Sequence, residues 1–234
     1  MIYKNKFALC IPVAAASAPA LSRQLTRIHP EETDYIEWRR DALPIEDTDT
    51  EKEMAALLTG FGVPVIYTHR LDVAKASENA KKLWQQSMAR GAGYEGIAYI
   101  DIDLSCAALY FENQIETSCG LILSVHDFEN CYDRNSLYTL AEKMTAYSAE
   151  VMKIAHTPKD DDRAQIAMRD VIDLNKDFDQ PIIHVLMGEH GRNSRIYPED
   201  WGGCLTYAVG DVATAKGQLL WQEIKKIRKN KKSN

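Results

Sequence analysis

Residues 121–130 read LILSVHDFEN. Leu121, Ile122, Leu123, Ser124 and Val125 have the character of a strand covered on both faces, and they run straight into His126 and Asp127. A buried strand that ends on an imidazole and a carboxylate is either surfacing into solvent or holding those groups in place. The choice between the two depends on whether the rest of the chain repeats the pattern.

The pattern recurs in both directions. Upstream, FALCIPV (7–13) reads as a strand and SAPALSRQLTRIH (17–29) as a helix with Ser17 at its N-cap. DYIEWRRDAL (34–43) precedes TDTEKEMAALLTGFG (48–62), a helix opened by threonine and acidic residues and closed by glycine. VPVIYTHRL (63–71) precedes SENAKKLWQQSMARGA (77–92), and GIAYIDIDLS (96–105) precedes CAALYFENQIETS (106–118). CGLILSVHDF (119–128) itself leads to RNSLYTLAEKMTAYSA (134–149). Downstream, EVMKIAHT (150–157) is followed by the acidic helix PKDDDRAQIAMRDVIDLNKDF (158–178). QPIIHVLMG (180–188) leads to an irregular segment, GRNSRIYPEDWGG (191–203), and CLTYAVGD (204–211) to AKGQLLWQEIKKIRK (215–229).

Strands alternating with helices imply parallel pairing. Eight such units in 234 residues fit a single α/β domain, a (β/α)8 TIM barrel over 1–234. A doubly wound open sheet is the alternative, but its glycine-rich fingerprint is missing. GAGYEG (91–96) precedes a strand where the fingerprint follows one, so it reads as a turn.

Composition narrows the function classes. Apolar residues make up 45% and charged residues 26%, as in ordinary globular proteins. No apolar run approaches the roughly 20 residues that span a bilayer, so no membrane association is expected. A net charge of −6 argues against a nucleic-acid partner, and the basic end EIKKIRKNKKSN reads as a helix face plus a short solvated tail. The start, MIYKNKFALCIPVAAASAPA, resembles a signal peptide, but Pro12 breaks its apolar stretch and FALCIPV reads better as a first strand. Cys10, Cys106, Cys119, Cys131 and Cys204 are odd in number and form no CxxC, which points to reduced thiols in a cytoplasmic protein. With no HxH and no HExxH, no metal is expected.

A barrel of this kind carries its function at the C-terminal ends of its strands. The late polar residues are Glu37, Arg39 and Asp41, then His69 and Arg70, Asp101 and Asp103, His126 and Asp127, Lys153, and Arg195 after strand seven. Side chains two apart share a strand face, which groups Glu37 with Arg39 and Asp41, Asp101 with Asp103, and Ser124 with His126 and Phe128. The helix layer is apolar, so the charged faces belong at the barrel mouth, and Asp127 points away from His126. Lys153, flanked by Met152, Ile154 and Ala155, is expected to be desolvated enough to attack a ketone as a free amine and form an imine. An imine acidifies the neighbouring carbon, and His126 on the adjacent strand is the base to take that proton.

Taken in order, these segments resemble type I 3-dehydroquinate dehydratase, the Schiff-base enzyme of the shikimate pathway and aromatic amino acid biosynthesis. EWRRD (37–41) looks like the family's E-x-R-x-D strand, and THR (68–70) like its T-x-R. DIDL (101–104) and LILSVHDF (121–128) look like its aspartate strand and S-x-HDF signature, and VMKIAHTP resembles its lysine strand. MGEHGRNSRI (187–196) resembles its M-G-x-x-G-x-x-S-R segment, and TAKGQ (214–218) its S-A-P-G-Q loop.

The resemblance implies that Lys153 forms the imine with 3-dehydroquinate and that His126 is general base and acid. It implies that Arg195 binds the substrate carboxylate, that Glu37, Arg39 and Arg70 hold ring hydroxyls or charge, and that Thr214 and Gln218 come from a closing loop. It also implies neither metal nor cofactor, and a homodimer. Four positions depart from the family pattern. Ala74 stands where a glutamate often contacts the histidine, Asp103 replaces a glutamate, Thr214 replaces a serine but keeps the hydroxyl, and Lys216 replaces a proline. The alternatives are another imine-forming barrel lyase, such as a class I aldolase, and a silent homologue that binds a shikimate-like acid.

Overall fold

In the computed structural model, residues 1–112, 117–210 and 219–232 are described. The strands are β1 (Ala8–Val13), β2 (Tyr35–Arg39), β3 (Val65–Thr68), β4 (Ile97–Asp103), β5 (Gly120–Asp127), β6 (Val151–His156), β7 (Ile182–Leu186), β8 (Leu205–Val209) and a two-residue β9 (Leu219–Leu220). The helices between and after them are α1 (Ala18–Leu25), α2 (Thr48–Phe61), α3 (Glu78–Gly93), α4 (Ala107–Phe111), α5 (Arg134–Ala146), α6 (Asp161–Asp177), α7 (Arg192–Ile196) and α8 (Trp221–Lys232). Ser17, Asp47, Ser77, Asp133 and Asp160 each accept a backbone N–H of the helix they open.

All ladders are parallel, in the order β7-β6-β5-β4-β3-β2-β1-β8-β9. The N–H of Cys204 donates to the carbonyl of Ile182 at 2.9 Å, which brings the start of β8 against β7 and curls the sheet into the expected barrel. α4 is shorter than its apolar pattern suggests: the expectation covers 106–118, and the helix ends at Phe111. The segment expected to be irregular contains α7, and the basic run 225–232 continues α8.

Two apolar layers hold the barrel. Between sheet and helices lie side chains such as Leu9, Ile36, Trp38, Tyr67, Ile102, Leu123 and Ile154. Inside it lie Cys10, Tyr35, Ile66, Tyr99, Ile122, Val151, Ile183, Leu205 and Tyr207. Ile2 joins this inner layer, and its N–H donates to the Tyr99 hydroxyl at 2.8 Å, so the N-terminal segment seals the barrel end opposite the mouth. The inward face of β2 to β6 then changes character two residues on. Tyr35, Ile66, Tyr99, Ile122 and Val151 give way to Glu37, Thr68, Asp101, Ser124 and Lys153, all buried. An apolar floor therefore carries a polar layer.

His69 departs from the sequence expectation. It faces the helix layer, where its Nδ1 meets Ser87 Oγ at 2.8 Å beside a buried cluster in which Glu51 joins Arg40 at 2.9 Å and Arg90 at 3.0 Å. A second buried pair sits on β6 and β7, with Nε2 of His156 and Nε2 of His184 2.8 Å apart. His156 Nδ1 accepts the Tyr132 N–H at 2.9 Å, so its own proton is on Nε2 and bonds the lone pair of His184. Protonating both rings would set two N–H groups face to face.

Burial holds all three imidazoles neutral. It lowers His69 to about 4, with Arg40 adding to the effect, and His156 to about 3, with Arg163 adding; His184 is lowered as well. A histidine depressed in the folded state takes up a proton on unfolding between its folded value and about 6.5. Stability should therefore be full above about pH 6.5 and fall as the pH drops, by up to about 1.4 kcal/mol per pH unit for each histidine. Urea midpoints should hold from about pH 7.5 to about 6.5 and then decline steadily down to about pH 4.5. A midpoint that stays flat down to pH 5 would show that the unfolded chain gains no protons there.

Candidate active site

A cavity of about 520 Å³ opens at the C-terminal mouth of the barrel. Its wall includes Glu37, Arg39, Arg70, Asp103, His126, Lys153 and Arg195, interleaved with Leu71, Phe128, Val185, Met187 and Tyr207. Seven residues singled out in the sequence thus meet in one cavity, from β2, β4, β5 and β6, the loop after β3, and α7. Thr214 and Gln218 fall outside the described residues, as does Lys216.

Lys153 lies at the bottom of this cavity, and its surroundings are not the apolar ones its strand neighbours suggest. Met152 and Ile154 point into the helix layer, while the Lys153 ammonium lies 2.7 Å from Asp101 Oδ2 and 3.2 Å from Glu37 Oε1. It also sits 4.2 Å above the centre of the Tyr207 ring, a cation–π contact that sequence reading missed. Tyr207 gives no motif; only its inward parity late in β8 could have marked it.

The carboxylates are themselves held. Arg70 donates to Asp101 Oδ2 at 2.9 Å and to Ser124 Oγ at 2.7 Å, and Ser124 donates to Asp101 Oδ1 at 2.6 Å. Thr68 donates to Glu37 Oε1 at 3.2 Å. Burial works to raise the Asp101 carboxyl, but Arg70 and Lys153 outweigh it and keep Asp101 ionised well below the usual carboxylate range. Arg39 forms a two-pronged pair with Asp41 at 3.0 and 2.7 Å. Asp41 does so from a 3-10 turn over Arg40–Ala42 and not from the strand, which ends at Arg39. Buried Arg40 turns the other way, toward Glu51.

His126 stands higher in the wall, on the same face of β5 as Ser124. Its ring stacks on the exposed Phe128 ring, with centroids 6.0 Å apart. Asp127 faces away, as parity requires, and accepts the N–H groups of Glu129 and Asn130. The side chain beside His126 is Asp103, whose Oδ2 lies 3.6 Å from Nδ1. Burial lowers the imidazole below its ordinary value and Asp103 opposes that, while Arg70 and Lys153 add to it.

Arg195 reaches the cavity from α7, and the glycines of 187–196 explain how. Gly188 has φ +77°, a conformation that favours glycine. A Cβ on Gly191 would lie 1.8 Å from the Leu186 carbonyl oxygen, so only glycine lets the turn close on the end of β7. That same carbonyl accepts Arg195 Nε at 3.0 Å and fixes the guanidinium. Burial lowers Arg195 to about 10, which leaves it charged at neutral pH.

The cavity thus combines an amine, an imidazole, three guanidinium groups and an apolar wall. That set can bind a small carboxylic acid and do imine and proton-transfer chemistry. Among the described residues, no group of three or more His, Cys, Asp or Glu side chains is arranged to hold a metal ion.

A family model described as type I 3-dehydroquinase matches residues 9–234. The 3-dehydroquinate dehydratase of Aromatoleum aromaticum is 26% identical over 231 residues, covering 94% of this chain and 88% of that protein. The bifunctional 3-dehydroquinate dehydratase/shikimate dehydrogenase of Arabidopsis thaliana is 27% identical over 226 residues, covering 93% of this chain and 36% of that protein. In fold, the crystal structure of the type I 3-dehydroquinate dehydratase of Clostridium difficile superposes with a TM-score of 0.83 at 21% identity, covering 100% of this chain and 95% of that one.

Proposed function

Because the chain belongs to the type I 3-dehydroquinase family, we propose that it is a 3-dehydroquinate dehydratase, acting in the shikimate pathway through an imine at Lys153. The observation that carries this reading is the opening of Lys153, His126 and Arg195 into one cavity.

The chemistry follows from what those groups can do. Lys153 gives up a proton and its nitrogen lone pair attacks the C3 carbonyl of 3-dehydroquinate; loss of water leaves the iminium. Glu37 lies within reach to take that proton, while Asp101, held ionised, keeps the ammonium in place. The iminium draws electrons from C2, and His126 removes the C2 proton to give the enamine. The electron pair returns to expel the C1 hydroxyl, which leaves as water with the proton His126 took. Water then cleaves the conjugated iminium, releases 3-dehydroshikimate and restores Lys153.

Arg195 suits the substrate carboxylate, because a guanidinium fork matches it in shape and charge. Glu37, Arg39 and Arg70 face the ring hydroxyls. Arg39 and Arg70 are already fixed by Asp41 and Asp101, so little rotamer freedom is lost on binding. The family resemblance gives Thr214 and Gln218 a place in the closing loop. It also suggests a homodimer, and five free thiols support a cytoplasmic location.

The test is direct. The product is a conjugated enone acid, so 3-dehydroquinate mixed with the protein should show an absorbance rise proportional to enzyme. No rise above the spontaneous rate at high enzyme concentration would overturn the reading.

A further inference from the structure

A base on a barrel strand works only if its ring is held, and the chain's answer to that need lies on the neighbouring strand. Asp103 is the last residue of β4, paired in register with Ser124, so its side chain comes diagonally to His126 on the same face of the sheet. Its Oδ2 is 3.6 Å from His126 Nδ1. Its other oxygen, Oδ1, accepts both the backbone N–H of Ser105 at 3.0 Å and the Ser105 hydroxyl at 2.7 Å. One oxygen is thus clamped by the turn that follows β4, and the other is aimed at the imidazole. Ala74 has no acceptor to offer, and Asp127 is occupied in its own turn.

We propose that Asp103 is the positioning residue of the base: its carboxylate receives Nδ1–H of His126, fixes the tautomer, and leaves Nε2 to exchange the proton with substrate. A separation of 3.6 Å is an ion-pair distance, and contacts of this kind shorten to hydrogen bonds when a substrate closes the site. The partly exposed carboxylate costs little to keep ionised, because His126 and Ser105 hold it below the usual range against the effect of its burial. Other charges facing His126 come from every neighbouring strand: Asp101 on β4, Arg70 beyond β3 and Lys153 on β6. Of these, Arg70 and Lys153 oppose a protonated imidazole and Asp101 favours it at longer range, so Asp103, the carboxylate in contact with Nδ1, is the main group that lets His126 carry a proton at mid-cycle.

The kinetic part of this inference rests on the dehydratase reading; an NMR titration of His126, its signal assigned by its absence in His126→Ala, does not. Asp103→Asn keeps the shape, removes the charge and offers an N–H where an acceptor is needed. It should lower kcat roughly 10–100-fold with KM held within about threefold, leave imine formation intact, and drop the His126 titration midpoint by about one pH unit. The acid limb of the rate profile should move down with it. Asp103→Glu, longer by one methylene, still reaches Nδ1 and should recover kcat to within about threefold of wild type.

Three results would overturn the proposal: an Asp103→Asn midpoint equal to wild type, an Asp103→Glu enzyme as slow as Asp103→Asn, or a loss confined to KM. A wild-type protein without turnover would sink the dehydratase reading alone, since the titration still decides what Asp103 does to His126.

Discussion

Lys153→Ala should lose turnover of 3-dehydroquinate by about 10⁴-fold or more, the largest effect of any single change in the cavity. Among the described residues no other amine lines the cavity, so none of them can replace the electron sink that the imine supplies. Borohydride added with substrate should leave a reduced adduct on Lys153, found by peptide mass, and none in the variant. Removing the ammonium also leaves Asp101 and Glu37 facing each other with Arg70 and the more distant Arg39 to balance them, so some loss of stability accompanies the loss of rate. Lys153→Arg separates the two effects. It restores the positive charge between the carboxylates but has no nucleophilic amine, so it should be the more stable variant and equally inactive. An adduct on Lys75 or Lys159, or turnover within tenfold of wild type in Lys153→Ala, would show that the imine forms elsewhere.

The fold was legible because one physical rule repeats on strand after strand. On β2 to β6 inward positions are apolar early and polar late, and outward positions are mostly apolar, with His156 at the end of β6 an exception, so the order of residues separates floor, mouth and helix layer. Where reading failed, it failed beyond the strand ends. β2 stops at Arg39 and β3 at Thr68, and past those points alternation no longer decides direction. Asp41 therefore meets Arg39 from a turn, and His69 goes outward to Ser87 while Arg70 comes inward. α7 was missed because five residues are too few for a helical period to emerge, and glycines precede it.

The surroundings of Lys153 and the partner of His126 were hidden for a different reason. Both depend on the register between strands, which places Lys153 beside Ser124 and Asp103 beside Ser124 from the other side. A sequence shows which residues share a strand face but not which residue faces which across two strands. The cation–π contact with Tyr207 spans the barrel between strands that share no ladder, and so leaves no local trace at all.

His126→Ala should slow turnover by roughly 10²–10⁴-fold, the usual contribution of a positioned general base, while the imine still forms. The two steps separate because attack by Lys153 needs the carboxylate floor, whereas proton removal at C2 needs a base higher in the wall. Borohydride should therefore still trap substrate on Lys153 in His126→Ala, and the trapped fraction in steady state should rise, since the step that consumes the imine has been slowed. The pH profile carries the same information. A protonated imidazole cannot accept the C2 proton, so the rate falls once the pH drops through the histidine's own value. Burial, with Arg70 and Lys153, has pushed that value below the ordinary 6.5 of histidine, so the acid limb of kcat/KM should lie below that pH in the wild type. His126→Ala should lose this limb altogether, because the group that titrates is gone. A variant that keeps the wild-type acid limb, or loses less than tenfold in rate, would mean that His126 packs against Phe128 as structure and that the C2 proton goes to a carboxylate of the floor.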